Sequence, residues 1–185
     1  MKTGMNMLLW TDHVSQQHFP IIEALKETGY DGIEVPLGIG NEGHYRRLGS
    51  FLDGLDMGCT CVTSLLADTN IASASATVRA AGLDRLKWAI DMAAVLGAET
   101  ICGPIHSAFA HFSQQPPSRV ELQRSAEVLR AAGDYAQAAG IILTPEALNR
   151  FECYLVNTME QLKALLIEVN HPSVGAIYDT HHAHI

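Results

Sequence analysis

Two acidic residues close short apolar runs near the C-terminal end of this 185-residue sequence: Glu146 ends the run at residues 141–146, and Asp179 ends the run at residues 174–179. Carboxylates at the tips of neighbouring strands, about 5 Å apart, both reach a single cation. Two hard oxygen donors suit Mn2+ or Mg2+. Taken singly, each acid reads equally well as an ordinary loop-start residue, and Asp179 as the cap of a turn. Their matching places at consecutive run ends favour a joint role. Three histidines follow at once, His181, His182 and His184. A tight turn brings the residue three after Asp179 back over the strand end, which selects His182 for the site and leaves His181 and His184 to the surface.

The elements that must position these groups alternate. Short β-branched runs at residues 4–10, 32–36, 59–66, 100–103, 141–146 and 174–179 are separated by stretches with apolar residues at helical spacing, at 19–28, 42–55, 76–96, 119–139 and 159–169. Strands fed through helices pair in parallel with right-handed crossovers, because an antiparallel return needs only a short turn. An open doubly wound sheet would carry a glycine-rich phosphate loop after an early strand, and the first turn here is Thr11-Asp12-His13-Val14. The expectation is therefore an α/β protein of the parallel (β/α) TIM-barrel type, in one domain over residues 1–185. A closed barrel takes eight strands and about 250 residues, so the sequence reads as the first six of eight β/α units, an incomplete barrel lacking the last two.

Composition excludes several function classes. The net charge is −8, from 12 basic and 20 acidic residues, and the basic residues form no run beyond Arg46 and Arg47, so nucleic acid is not expected as a partner. No apolar stretch approaches the roughly 20 residues needed to cross a bilayer, and the N-terminus lacks the pattern of a secretion signal, so a cytoplasmic protein without a membrane partner is expected. Cys59, Cys61, Cys102 and Cys153 lack paired zinc spacing and sit in apolar runs, where they read as buried thiols.

The segment E-A-L-N-R-F-E at residues 146–152 and D-T-H-H at 179–182 resemble the D-tagatose 3-epimerase and D-psicose 3-epimerase family, within the xylose isomerase-like barrels. Weaker similarity extends through G-Y-D-G-I-E-V, L-A-D-T-N-I-A-S and C-G-P-I-H-S. The resemblance implies a divalent-metal-dependent epimerase acting at C3 of a ketose through a cis-enediolate. It implies Glu146 as metal ligand and acid/base, Asp179 as second ligand, and Glu152 and His182 as hydrogen-bonding partners of the sugar hydroxyls. Mn2+ is the first choice of cofactor, with Mg2+ or Co2+ as alternatives, and a homo-oligomer is expected at full length. Gly103 and His106 are implied to line the sugar, with Phe109 over an apolar edge and a packed loop as the alternative. Glu34 reads as a buried support or as an acid behind the site, and Leu9 and Trp10 as core or as pocket wall. The family's histidine ligand after strand seven, its substrate arginine and its second glutamate on strand eight have no counterpart in this sequence, so the 185-residue chain alone is expected to be inactive. The competing readings are a related hydroxypyruvate or ketose/aldose isomerase, a zinc-dependent apurinic endonuclease, against which the acidic balance counts, and a non-catalytic truncated barrel.

Overall fold

The computed structural model describes residues 1–184. Five parallel strands lie in sequence order, β1 (Gly4–Asn6), β2 (Gly32–Pro36), β3 (Gly58–Val62), β4 (Thr100–Gly103) and β5 (Ile142–Pro145). Helices α1 (Phe19–Glu27), α2 (Glu42–Gly54), α3 (Ala76–Leu96) and α4 (Arg119–Ala139) connect them, and α5 (Met159–Val169) and the short α6 (Thr180–His184) follow β5. This is the parallel β/α order of an incomplete barrel. Among the described residues, no helix is long and apolar enough to cross a membrane.

Local chemistry sets the helix starts. Asn41, Ser75, Ser118 and Thr158 each accept a backbone N–H of the first turn, satisfying a donor that has no partner within the helix. At α4 and α5 the bond is reciprocal, with Glu121 and Gln161 reaching back to the cap residue.

The strand register divides the side chains between two layers. Val35, Cys61, Ile101 and Leu143 are register partners across β2 to β5, and all are fully buried. Alternation sends the residues beside them to the opposite face, so that Asn6, Glu34, Thr60, Val62, Cys102 and Thr144 point into the barrel. Adjacent helices pack pairwise over the outer layer, α2 on α3, α3 on α4 and α4 on α5.

Three expected strands differ in extent. The first is short because the Asn6 side chain accepts the Leu8 N–H at 2.8 Å and starts a 3-10 turn over Met7–Leu9. Leu9 and Trp10 are consequently exposed, neither core nor cavity wall. β3 ends at Val62 rather than Leu66. The sixth run lies parallel beside β5 but forms only isolated bridges, Leu143 with Val174 and Glu146 with Ile177. Proline explains the interruption. Leu143 donates to Ser173 at 2.9 Å, Gly175 donates to Leu143 at 2.8 Å and Ile177 to Pro145 at 3.3 Å, while Pro145 has no N–H for the bond that would complete the ladder. The cysteines are free thiols, three buried and Cys59 half-buried.

Candidate active site

Glu146 follows β5 directly, and its N–H donates to the Gly103 carbonyl at the tip of β4, 3.1 Å away. Asp179 caps α6: its Oδ1 accepts the N–H groups of His181 at 2.6 Å and His182 at 3.3 Å. The turn-cap and site readings of Asp179 are therefore compatible, because its other oxygen faces the cavity side, 3.9 Å from His182 Nε2. His182 Nε2 also lies 3.3 Å from Glu146 Oε1. One potential ligand atom from each of Glu146, Asp179 and His182 falls within 4.8 Å of the other two.

These three side chains line a cavity of about 680 Å³ together with Glu34, Cys102 and Glu152. Glu152 accepts from Asn149 Nδ2, and its Oε2 is 3.4 Å from His182 Nδ1. Glu34 projects from β2 into the same space, where it accepts from Asn6 at 2.7 Å, Thr60 at 3.1 Å and the Cys102 thiol at 2.9 Å. It is a partly exposed, hydrogen-bonded acid behind the Glu146 carboxyl.

The electrostatics follow from crowding acids in a poorly hydrated place. Burial, then a hydrogen bond to Asp179 and the charges of Asp179, Glu34 and Glu152, push the Glu146 carboxyl up to about 8. Asp179 moves the other way: burial opposes ionisation, but the His181 N–H, the Glu146 carboxyl, the His182 N–H and the His182 ring together hold it below the usual range. Among the described residues neither carboxylate has a lysine or arginine within ion-pair distance. Two carboxylates converging without a basic partner form a donor set suited to a divalent cation. Replacing Glu34 by Gln removes one of the charges that oppose Glu146 ionisation, so the Glu146 carboxyl of the variant should titrate at lower pH. Carboxyl 13C chemical shifts followed through a pH titration measure this, and an unmoved midpoint would contradict it.

His181 and His184 are exposed. His106 is fully buried, with Nδ1 3.0 Å from Ser107 Oγ, its carbonyl accepting from Ser125 and its ring held neutral by burial, which lowers its pKa to about 4. Neither His106 nor Gly103 is among the described residues lining the cavity; from the same loop, Pro104 and Phe109 are. The side chain that sequence reasoning passed over is Asn149, 4% exposed, which touches both Glu152 and His182. It stands inside the E-A-L-N-R-F-E segment, but nothing in its residue type marks it.

The xylose isomerase-like TIM barrel family model matches residues 22–185, and the chain belongs to that family. It is 31% identical over 186 residues to a ketose 3-epimerase of Arthrobacter globiformis, with all of this chain and 64% of the relative covered. It is 30% identical over 189 residues to a D-psicose 3-epimerase of Agrobacterium fabrum, covering 100% of this chain and 65% of that protein. Among solved structures, an L-ribulose 3-epimerase superposes with a TM-score of 0.92 at 27% identity, covering 100% of this chain and 62% of that one. The chain thus spans a little under two thirds of the length of these relatives.

Proposed function

We propose that this site serves a divalent-metal-dependent ketose 3-epimerase in which Glu146 is both cation ligand and acid/base. The observation that carries the reading is the convergence of the Glu146 and Asp179 carboxylates at the end of β5 and of the run beside it, in a chain similar throughout to ketose 3-epimerases. Glu146 and Asp179 would hold the cation, with Mn2+ as first choice. When bound, it supplies Lewis-acid stabilisation of negative charge developing on the sugar oxygens.

The chain's own residues do the rest. In the metal-free site the Glu146 carboxyl is pushed up to about 8; a bound cation would favour its ionised form, leaving a carboxylate to take the C3 proton and give it back. Glu152 and His182, which line the same cavity, would hydrogen-bond the sugar hydroxyls and fix C3 against Glu146. The acidic lining disfavours a phosphorylated sugar, so the reading is for a free ketose. The test is solvent deuterium exchange into a panel of free ketoses by the full-length protein with Mn2+. Exchange confined to C3 supports the reading. Exchange at C1 instead indicates an aldose–ketose isomerase, and no exchange at any carbon overturns both.

Cation binding should depend on pH through Glu146. Its raised pKa means that the metal-free site holds a proton at neutral pH which the cation must displace. Mn2+ affinity is therefore expected to rise by up to about tenfold per pH unit below pH 8 and to level off above it, with about one proton released per ion. Calorimetry in buffers of different ionisation enthalpy measures both quantities. Affinity that stays flat through this range would remove Glu146 from the ligand set.

A further inference from the structure

The Asn149 amide makes hydrogen bonds through all of its polar atoms, and their directions are fixed by chemistry. Its Oδ1 accepts the Phe151 backbone N–H at 2.9 Å, and an N–H can only donate, so the carboxamide has one possible orientation. Nδ2 consequently faces Glu152 Oε2 and His182 Nδ1, the latter at 2.9 Å. An amide nitrogen is no acceptor. At that distance His182 Nδ1 must offer its lone pair, and the ring hydrogen of the neutral imidazole must sit on Nε2. Glu152 Oε2, 3.4 Å from His182 Nδ1, accepts the other hydrogen of the same Asn149 NH2 group.

The geometry points to Asn149 as the positioning residue that locks His182 into its Nε2–H form, and thereby makes His182 a hydrogen-bond donor in the site rather than a cation ligand. Proximity alone leaves His182 Nε2 as a candidate third ligand beside Glu146 and Asp179. With a hydrogen on Nε2 and the Nδ1 lone pair engaged, the ring has no free pair to give. Nε2–H instead points where Glu146 Oε1 lies 3.3 Å away, the place at which a bound sugar oxygen would accept it. The same amide holds Glu152, so one buried side chain sets both sugar-facing groups. The tautomer assignment stands on geometry alone, while its consequence for turnover rests on the epimerase reading.

The experiment is long-range 1H–15N correlation of the His182 ring in the full-length, metal-free protein and in Asn149→Asp. The wild type should show the hydrogen on Nε2. In the variant one oxygen still accepts from Phe151, while the other faces Nδ1 and draws the hydrogen there. A wild-type ring with its hydrogen on Nδ1 overturns the assignment, and so does a folded variant that keeps the Nε2–H form. The wild-type spectrum decides the point even if the variant does not fold. If the epimerase reading also holds, C3 exchange by the variant falls about ten- to hundredfold, with Mn2+ affinity undiminished. An Nε2–H ring in a protein without exchange on any ketose supports the assignment while overturning the functional reading.

Discussion

Glu146→Gln in the full-length protein should abolish C3 proton exchange, by about 10²- to 10⁴-fold if only general-base catalysis is lost, and further if the cation is lost with it. The substitution keeps the size of the side chain and the N–H that bonds to Gly103, so the strand tip stays in place. It removes the proton acceptor and one of the two carboxylate ligands together. A residual exchange within tenfold of the wild type would show that the base lies elsewhere in the cavity. Stability gives an independent readout with the opposite sign. Because the folded-state pKa of Glu146 is raised to about 8, its contribution to folding is fully present below the unfolded carboxyl's pKa and is lost as pH rises through about 8. An amide has no such loss. The metal-free variant should therefore melt above the metal-free wild type at alkaline pH, and the gap should close on acidification. Loss of exchange accompanied by this gain identifies a removed functional group; loss of exchange accompanied by a lower Tm at every pH would mean a damaged fold.

Much of this arrangement is visible in the sequence because it follows from local rules. The helices announce themselves by apolar spacing and by caps such as Ser118 with Glu121 and Thr158 with Gln161, whose geometry requires only neighbouring residues. The placement of Glu146 and Asp179 at strand ends is likewise a local inference, since strand period and topology put both tips on one rim. What is hidden depends on partners distant in sequence. Glu34 looks the same in sequence whether it is exposed or held, and only the register that sets Asn6, Thr60 and Cys102 around it decides. His106 has the residue type of a sugar contact, yet its ring is fully buried beside the Glu146 backbone, where burial keeps it neutral. Asn149 gains its role from a contact 33 residues away. The broken sixth ladder, by contrast, is a local effect that Pro145 makes readable, once the strand it must donate to is known.

Gly103 is the position where the barrel wall and the site depend on the same atoms, and replacing it with Ala should be among the most damaging single changes in the chain. Its φ is 119°, and an added Cβ would lie 2.3 Å from the Thr63 carbonyl oxygen and 3.3 Å from Val62 Cγ2. Neither obstacle is a flexible tip: Thr63 is tied through its own N–H to the Cys102 carbonyl at 3.0 Å and through its hydroxyl to Leu37 at 2.9 Å. The strained backbone and the forced separation of β3 from β4 together are expected to cost about 3 kcal/mol or more, a fall in Tm of roughly 6–12 °C. Movement at Gly103 also shifts the carbonyl that holds the Glu146 N–H, so Mn2+ binding and C3 exchange should weaken in the fraction that remains folded. Gly140→Ala is the matched comparison. Gly140 ends α4 at φ 72° with nothing within 4 Å of an added Cβ, so that change carries only the left-handed backbone cost of about 1–2 kcal/mol. The difference in unfolding free energy between the two variants reports the contact with Thr63 together with the greater backbone strain of φ 119° over φ 72°. If Gly103→Ala proves no more costly than Gly140→Ala, the tip of β4 is free to relax, and Glu146 must be positioned by β5 and Asp179 alone.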